Sequence, residues 1–258
     1  MGKYAKKSSM NIFIITEEDP FYLYEFFRMF YADAANASYV IAGAAILKTF
    51  NKQSSIALAR QMYDFFGPLH FFSMSFAWLL HRVTGHTVAS ITVRNHIPLI
   101  DTVSVNSPEF IAEIKRRNID VIVSVAAPQR FKKELITAVS GGCINSHSSL
   151  LPENRGMMPV FWALYKGAPV TGVTIHYINE KLDNGDIIAQ EKVPVGNETM
   201  HEMILKTKRI SARLMDQALR NIAAGSVIAR QMPTGGSYQS FPTRQEVREF
   251  RSRGKRII

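Results

Sequence analysis

Val121-Ile-Val-Ser-Val125 and, further along, Cys143-Ile-Asn-Ser146 are the two short apolar runs whose reading decides the fold. Each is too short for an ordinary helix and rich in β-branched residues, so each reads as a strand buried within a sheet. Working back towards the N-terminus, Ser107-Pro108 reads as an N-cap with proline at the first helical position, opening a helix that runs to about Arg117. Pro98 to Val105 reads as a further strand, and Ser54 to Val83 as helix broken near Gly67-Pro68. Tyr39 to Leu47 and Asn11 to Thr16 are two more strands, with a helix over Phe21 to Tyr31 between them. Working forward, Val170 to Ile178 and Asp186 to Val193 read as strands, and Met200 to Ala224 as a long amphipathic helix. A Gly/Pro/Ser-rich linker leads to Thr243-Arg-Gln-Glu246, a capping box whose helix places Val247 and Phe250 on one side. Strands alternating with helices predict an α/β fold: a mostly parallel sheet with helices on both faces, plus a C-terminal helix and tail.

Composition narrows the function classes. A chain of 258 residues, 47% apolar and 20% charged, can build a core without cross-links. The single cysteine, Cys143, excludes an internal disulfide and a cysteine-rich zinc site, and points to a cytoplasmic location. The opening MGKYAKKSSMNIF lacks the apolar run of a secretory leader, and Lys6 stands where a myristoylation signal wants Ser or Thr. Phe65 to His81, FFGPLHFFSMSFAWLLH, carries no Asp, Glu, Lys or Arg, yet it falls short of the about 20 apolar residues a membrane span needs. It is expected to be a helix buried in the fold or covered by a partner, with a homodimer contact or a membrane-surface contact as the alternatives. The net charge of +10 is concentrated after Lys206, where 12 Lys and Arg face three acidic residues. That suits a phosphate-bearing partner and equally a solvated basic face. There is no Walker loop or GxGxxG, and His70, His81, His86, His96 and His201 show no metal-ligand spacing, so no metal is expected.

The chemistry is concentrated in Asn145-Ser-His147-Ser-Ser-Leu-Leu-Pro152-Glu-Asn-Arg-Gly156, where the chain turns out of a strand. Two apart, Asn145 and His147 project from the same side of an extended chain. An amide donates to an oxyanion, and an imidazole moves a proton near neutrality. An ionised carboxylate facing that imidazole holds its orientation, and Asp183 in Leu-Asp-Asn-Gly closes such a set. Together these groups suit acyl transfer to an amine. His176 lies on the strand before Asp183, with a side chain that either faces the cleft or packs. Cys143, in a buried strand without a flanking base, reads as a packed thiol.

In these motifs the chain resembles the formyltransferase family, which includes glycinamide ribonucleotide formyltransferase, methionyl-tRNA formyltransferase and the sugar N-formyltransferases. The pattern Asn-x-His-x-Ser-Leu-Leu-Pro, then Gly, then Gly-x-Thr-x-His, then Asp-x-Gly falls on Asn145 to Pro152, Gly156, Gly172 to His176 and Asp183 to Gly185. The resemblance covers residues 87 to 195 well, the first strands loosely and the tail poorly. It implies a Rossmann-like formyltransferase fold, 10-formyltetrahydrofolate as donor, and Asn145, His147 and Asp183 as the catalytic residues. It also implies that the folate pterin is held, largely by main chain, at Pro128, Gln129, Arg130 and Phe131 and at Ile178, Asn179, Glu180 and Lys181. The first loop, Thr16 to Pro20, departs from the family's glycine-rich form, and the Ser54 to Val83 region is enlarged.

The expected organisation is a catalytic domain over residues 1–225 and a basic C-terminal extension over 226–258. Arg155 and Trp162 flank the catalytic turn and are the candidate acceptor contacts, with a surface arginine and a core tryptophan as their plainer roles. The expected acceptor is a nucleotide-linked amino sugar of the GDP-perosamine type, used for surface polysaccharide. A nucleic-acid acceptor is not expected, because only 63 residues follow Val195, although the basic tail keeps methionyl-tRNA in consideration. Hydrolysis of the same donor and non-catalytic folate binding are the remaining alternatives.

Overall fold

The computed structural model describes residues 9–48 and 55–258. The leader and myristoylation readings fall on the N-terminal residues outside this range, as does Ser54. In chain order the elements begin with β1 (Met10–Glu17), α1 (Leu23–Ala34), β2 (Tyr39–Leu47), α2 (Ser55–Phe66) and α3 (Pro68–Val83). Next come α4 (Val88–Arg94), α5 (Pro108–Arg116), β3 (Val121–Val125), α6 (Lys133–Ile136), β4 (Cys143–His147) and β5 (Arg155–Gly156). The chain continues through α7 (Pro159–Tyr165), β6 (Val170–Tyr177), β7 (Ile187–Pro194), α8 (Met200–Ala223), β8 (Tyr238–Gln239) and α9 (Arg244–Ser252).

Six strands form one sheet in the order β2-β1-β3-β4-β6-β7. The first four are parallel, and β6 and β7 run antiparallel to their neighbours. Period-two alternation divides the buried side chains between the two faces. Ile12, Ile14, Val121, Val123 and Ile144 pack with Phe26, Phe27 and Phe30 of α1 and Met215 and Leu219 of α8. Phe13, Ile15, Ile122 and Cys143 turn the other way, onto Phe110 and Ile114 of α5 and Leu135 of α6. The α/β sheet with helices on both faces is therefore as expected.

The C-terminal segment packs onto this unit. Val247 and Phe250 of α9 are buried with Phe65, Phe161 and Met203, and the Phe250 ring stacks on Phe161 at 4.7 Å. Burying one such side chain is worth about 1.5–3 kcal/mol. The expected capping box is present, with the Thr243 hydroxyl accepting from the Glu246 N–H and the Glu246 carboxylate accepting from the Thr243 N–H.

Two local expectations fail, and one helix goes without an expectation. Pro98 to Val105 makes only an isolated bridge, Leu99 to Ala44, beside β2. Its polar side chains compete with sheet pairing: Thr102 Oγ1 donates to the Ser104 carbonyl, and Gln129 takes up the Val105 N–H and the Val103 carbonyl. The β-branched run Val88-Ala-Ser-Ile-Thr-Val-Arg94 forms helix α4, which the sequence reading did not assign. Its N-terminus is held by the Thr87–Ser90 capping box and by the Glu18 carboxylate, which accepts from the N–H groups of Val88 and Ala89. Finally, the apolar helix α3 has no buried residue, so the expectation that the fold buries the Phe65 to His81 segment is wrong; only Phe65 itself reaches the core.

Candidate active site

Asn145 and His147 stand two residues apart on β4, with His147 its last residue. Directly opposite on antiparallel β6 lie His176, in register with Asn145, and Thr174, in register with His147. Thr174 is fully buried; its hydroxyl donates to the Ser149 carbonyl and accepts from the Leu151 N–H, so the chain leaving β4 is tied back onto β6.

His176 Nδ1 lies 2.7 Å from the Tyr177 carbonyl oxygen, which can only accept, so Nδ1 carries a hydrogen. Burial pushes the pKa of His176 well below the ordinary imidazole value, against the opposing attraction of Asp183. The ring is thus neutral, and Nε2 is an acceptor for Asn145 Nδ2 at 3.2 Å. That bond fixes which end of the Asn145 carboxamide is the NH₂ and leaves its second N–H to donate elsewhere.

His147 is oriented by a similar constraint. Its Nε2 donates to the Asn154 carbonyl at 2.8 Å, so Nδ1 is the nitrogen left to take up or release a proton. Nδ1 faces Asp183 Oδ2 at 3.7 Å, and His176 Nε2 faces Asp183 Oδ1 at 3.8 Å. Both distances are too long for hydrogen bonds. Asp183 instead places a nearly buried carboxylate between two imidazoles, where a positive charge forming on His147 is stabilised. Its position is set by the Gly156 N–H, which donates to Oδ2 at 2.8 Å, and by a left-handed backbone, φ 48°. A Cβ at Gly185 would stand 1.8 Å from the Tyr177 carbonyl, which explains glycine two residues after Asp183.

The turn carrying Asn154 is anchored from far along the chain. Ser237 Oγ accepts from the Asn154 N–H, the Ser237 carbonyl accepts from the Arg155 N–H, and β5 pairs with β8. Lys166 Nζ donates to both Asn154 Oδ1 and Ser237 Oγ. The approach is so close that a Cβ at Gly156 would lie 2.3 Å from the Gln239 carbonyl. Neither this anchor nor the role of His176 was named from the sequence. The Gly-x-Thr-x-His spacing was the available signal for His176, and nothing local marked Ser237.

The structure distributes the other candidates as follows. Phe131 is buried in the cluster against which Ile178 packs, beside Cys143, while Pro128, Arg130 and Asn179 to Lys181 are exposed on the two loops concerned. Gln129 is engaged with the 103–105 segment. Arg155 Nη2 donates to the Gly235 carbonyl, whereas its buried Nε has no hydrogen-bond partner. Trp162 has its ring in the core, its N–H donating to the Ser240 carbonyl. Cys143 is buried, and desolvation pushes its thiol up to about 12. In the first loop Asp19 accepts from the N–H groups of Phe21 and Tyr22, so its carboxylate, like that of Glu18, is engaged by backbone. Among the described residues no helix is long and apolar enough to cross a membrane.

Comparison with known proteins agrees with this geometry. A family model described as formyl transferase matches residues 83–219. The chain is 40% identical over 140 residues to methionyl-tRNA formyltransferase from Clostridioides difficile (strain 630), over 54% of this chain and 45% of that protein. It therefore spans less than half the length of that curated relative. Among solved structures, glycinamide ribonucleotide transformylase 1 from Symbiobacterium toebii has a TM-score of 0.61 at 15% identity, covering 90% of this chain and 99% of that one. A sugar N-formyltransferase from Shewanella sp FDAARGOS_354 has a TM-score of 0.58 at 20% identity, covering 89% and 76%. At such identities these two share the fold.

Proposed function

The chain belongs to the formyl transferase family, and on that premise we propose that it moves a formyl group from 10-formyltetrahydrofolate to the amino group of a nucleotide-linked amino sugar. The observation that carries this reading is the Asp183 carboxylate set between His147 and His176, with Asn145 oriented by His176. The acceptor amine attacks the formyl carbon, forming a C–N bond and an oxyanion. Asn145 donates its free N–H to that oxyanion. His147 removes the proton from the attacking nitrogen, with Asp183 stabilising the imidazolium. Collapse breaks the bond to the donor nitrogen, which leaves with the proton returned by His147.

The donor's proposed seat is between two loops. Two loops with exposed chain, at Pro128 to Arg130 and Asn179 to Lys181, flank the apolar packing of Phe131 and Ile178. A flat heterocycle with polar edges suits an apolar floor bordered by backbone groups. Residues 1–225 are read as the catalytic unit and 226–258 as a basic extension packed against it, in a cytoplasmic protein. The described residues after Val195 form α8, β8 and α9, which lie on the catalytic unit. Arg155, with its unpartnered Nε, is the candidate contact for the acceptor's diphosphate.

A second reading has methionyl-tRNA as the acceptor, and the 40% identity to a methionyl-tRNA formyltransferase favours it. The deciding experiment offers 10-formyltetrahydrofolate with GDP-, UDP- and dTDP-linked amino sugars, methionyl-tRNA and glycinamide ribonucleotide, and reads formylated products by mass spectrometry. Formylation of an amino sugar is the expected result. Formylation of methionyl-tRNA with every sugar inert overturns the acceptor and keeps the transferase. Formate released at an undiminished rate without any amine makes the protein a hydrolase.

A further inference from the structure

Helix α3 presents an apolar stripe that is exposed and that no other element among the described residues covers. Leu69, Phe72, Phe76, Leu79 and Val83, spaced three and four apart, are 78%, 66%, 69%, 55% and 79% exposed, and that spacing puts them on one side of the helix. Trp78 and Leu80 widen the stripe, and both are also exposed. Leaving one such face in water is unfavourable by the same effect that builds the core. Along the segment that carries the stripe the charge has one sign. Between Asp64 and Asp101 the chain contains no Asp or Glu, while Arg82 lies over the Trp78 ring and Arg94 reaches the Gly85 carbonyl just past the end of α3. Asp64 is paired with Arg244, and Glu18 is consumed at the N-terminus of α4.

We infer that α3 is a membrane-contact helix, lying in the plane of a surface that bears anionic phospholipid. At 16 residues it is too short to span the hydrocarbon core, which needs about 20. An apolar helix edged by arginine and tryptophan lies in the interface instead, its apolar side chains among the acyl chains and its guanidinium groups among phosphates. Charge selects this occupant over a second copy of the chain. Two copies joined through the stripe bring two sets of Arg82 and Arg94 together, with no carboxylate in the segment to offset them. Phosphates of anionic lipid supply the missing sign. This inference is independent of the acceptor and of the chemistry proposed for the site.

The test is co-sedimentation of the full chain with vesicles of phosphatidylcholine, with and without phosphatidylglycerol. Binding to the phosphatidylglycerol vesicles is expected to exceed binding to the neutral ones by about tenfold or more and to fall with added salt. It should come with a blue shift of tryptophan emission that Trp78→Phe removes. Phe76→Glu with Leu79→Glu should abolish binding without moving the thermal melt, since α3 has no buried residue; Arg82→Glu should weaken binding to anionic vesicles alone. Absence of binding to phosphatidylglycerol vesicles overturns the inference, as does binding that survives the glutamate pair. A lipid-free dimer that the same pair disperses also overturns it and gives the stripe to a second copy.

Discussion

The Nε2 of His176 accepts a hydrogen bond from Nδ2 of Asn145 at 3.2 Å, so a buried neutral ring decides which way the Asn145 amide, proposed as the oxyanion donor, points. His176 is on this account a positioning residue. Replacing it with Ala should lower kcat by about tenfold to a hundredfold with KM nearly unchanged, because only the oxyanion contact is disturbed. Gln, whose side-chain carbonyl can accept in the same way, should restore part of the rate. Equal losses in both variants would remove the orienting role.

The three residues proposed to act on the reacting atoms should behave differently from one another. His147→Ala and Asp183→Asn are expected to abolish most turnover while folate binding, measured by fluorescence titration, stays within a few-fold. Asn145→Ala should cost about 3 kcal/mol in the barrier. Cys143→Ala should leave the rate near normal. Near-normal rates in the first three variants would refute the mechanism.

Acid should destabilise the fold before any carboxylate does. The folded state holds His176 below the unfolded imidazole value of about 6.5, because burial disfavours its charged form. Above that value both states are neutral and pH has no effect through this group. Below it the unfolded chain takes a proton that the folded chain refuses, so stability falls as pH falls. His201, lowered for the same reason, acts in the same direction; Asp19, raised by burial, acts in the opposite one. Melting temperatures between pH 7 and 5 should therefore fall less steeply in His176→Gln than in the parent. Parallel slopes would count against the assignment.

Gly156→Ala should loosen the site from a distance. The added methyl meets the Gln239 carbonyl on a backbone at φ 91°, and strain of about 1–3 kcal/mol is expected. Because Gly156 also donates to Asp183, kcat should fall along with the melting temperature. Phe250→Ala, which removes a core ring without touching the site, should cost about 3–5 kcal/mol of stability and leave the rate per folded molecule unchanged.

Much of this was readable from the sequence where local chemistry and tertiary packing agree. VIVSV is buried on both faces and Thr243 begins a capping box, and both became what their residues favour. Asn145, His147 and Asp183 were readable because their motifs recur in order; in the structure His147 faces the Asp183 carboxylate directly and Asn145 is joined to it through His176. The failures come from contacts that the local chain does not encode. Val88 to Arg94 carries no assignment from its β-branched content, and is helix because Glu18, from just past β1, joins the Thr87–Ser90 capping box at its first turn. Pro98 to Val105 looks like strand, and leaves the sheet because Gln129 takes its hydrogen bonds. Helix α3 looks like core, yet among the described residues its stripe stays exposed.

Asn154 waits for chain made much later. The carbonyl that receives His147 belongs to a turn steadied by Ser237, 83 residues beyond Asn154 in the sequence. A nascent chain that has emerged only as far as α8 already contains every strand of the large sheet and all of the proposed reacting side chains. It lacks the second half of the β5–β8 pair, and with it the Ser237 hydroxyl that Asn154 and Lys166 share. Contacts this distant form late in folding. The turn that receives His147 is therefore completed only after every strand of the large sheet has emerged, in the same stretch of chain that brings Val247 and Phe250 to the core.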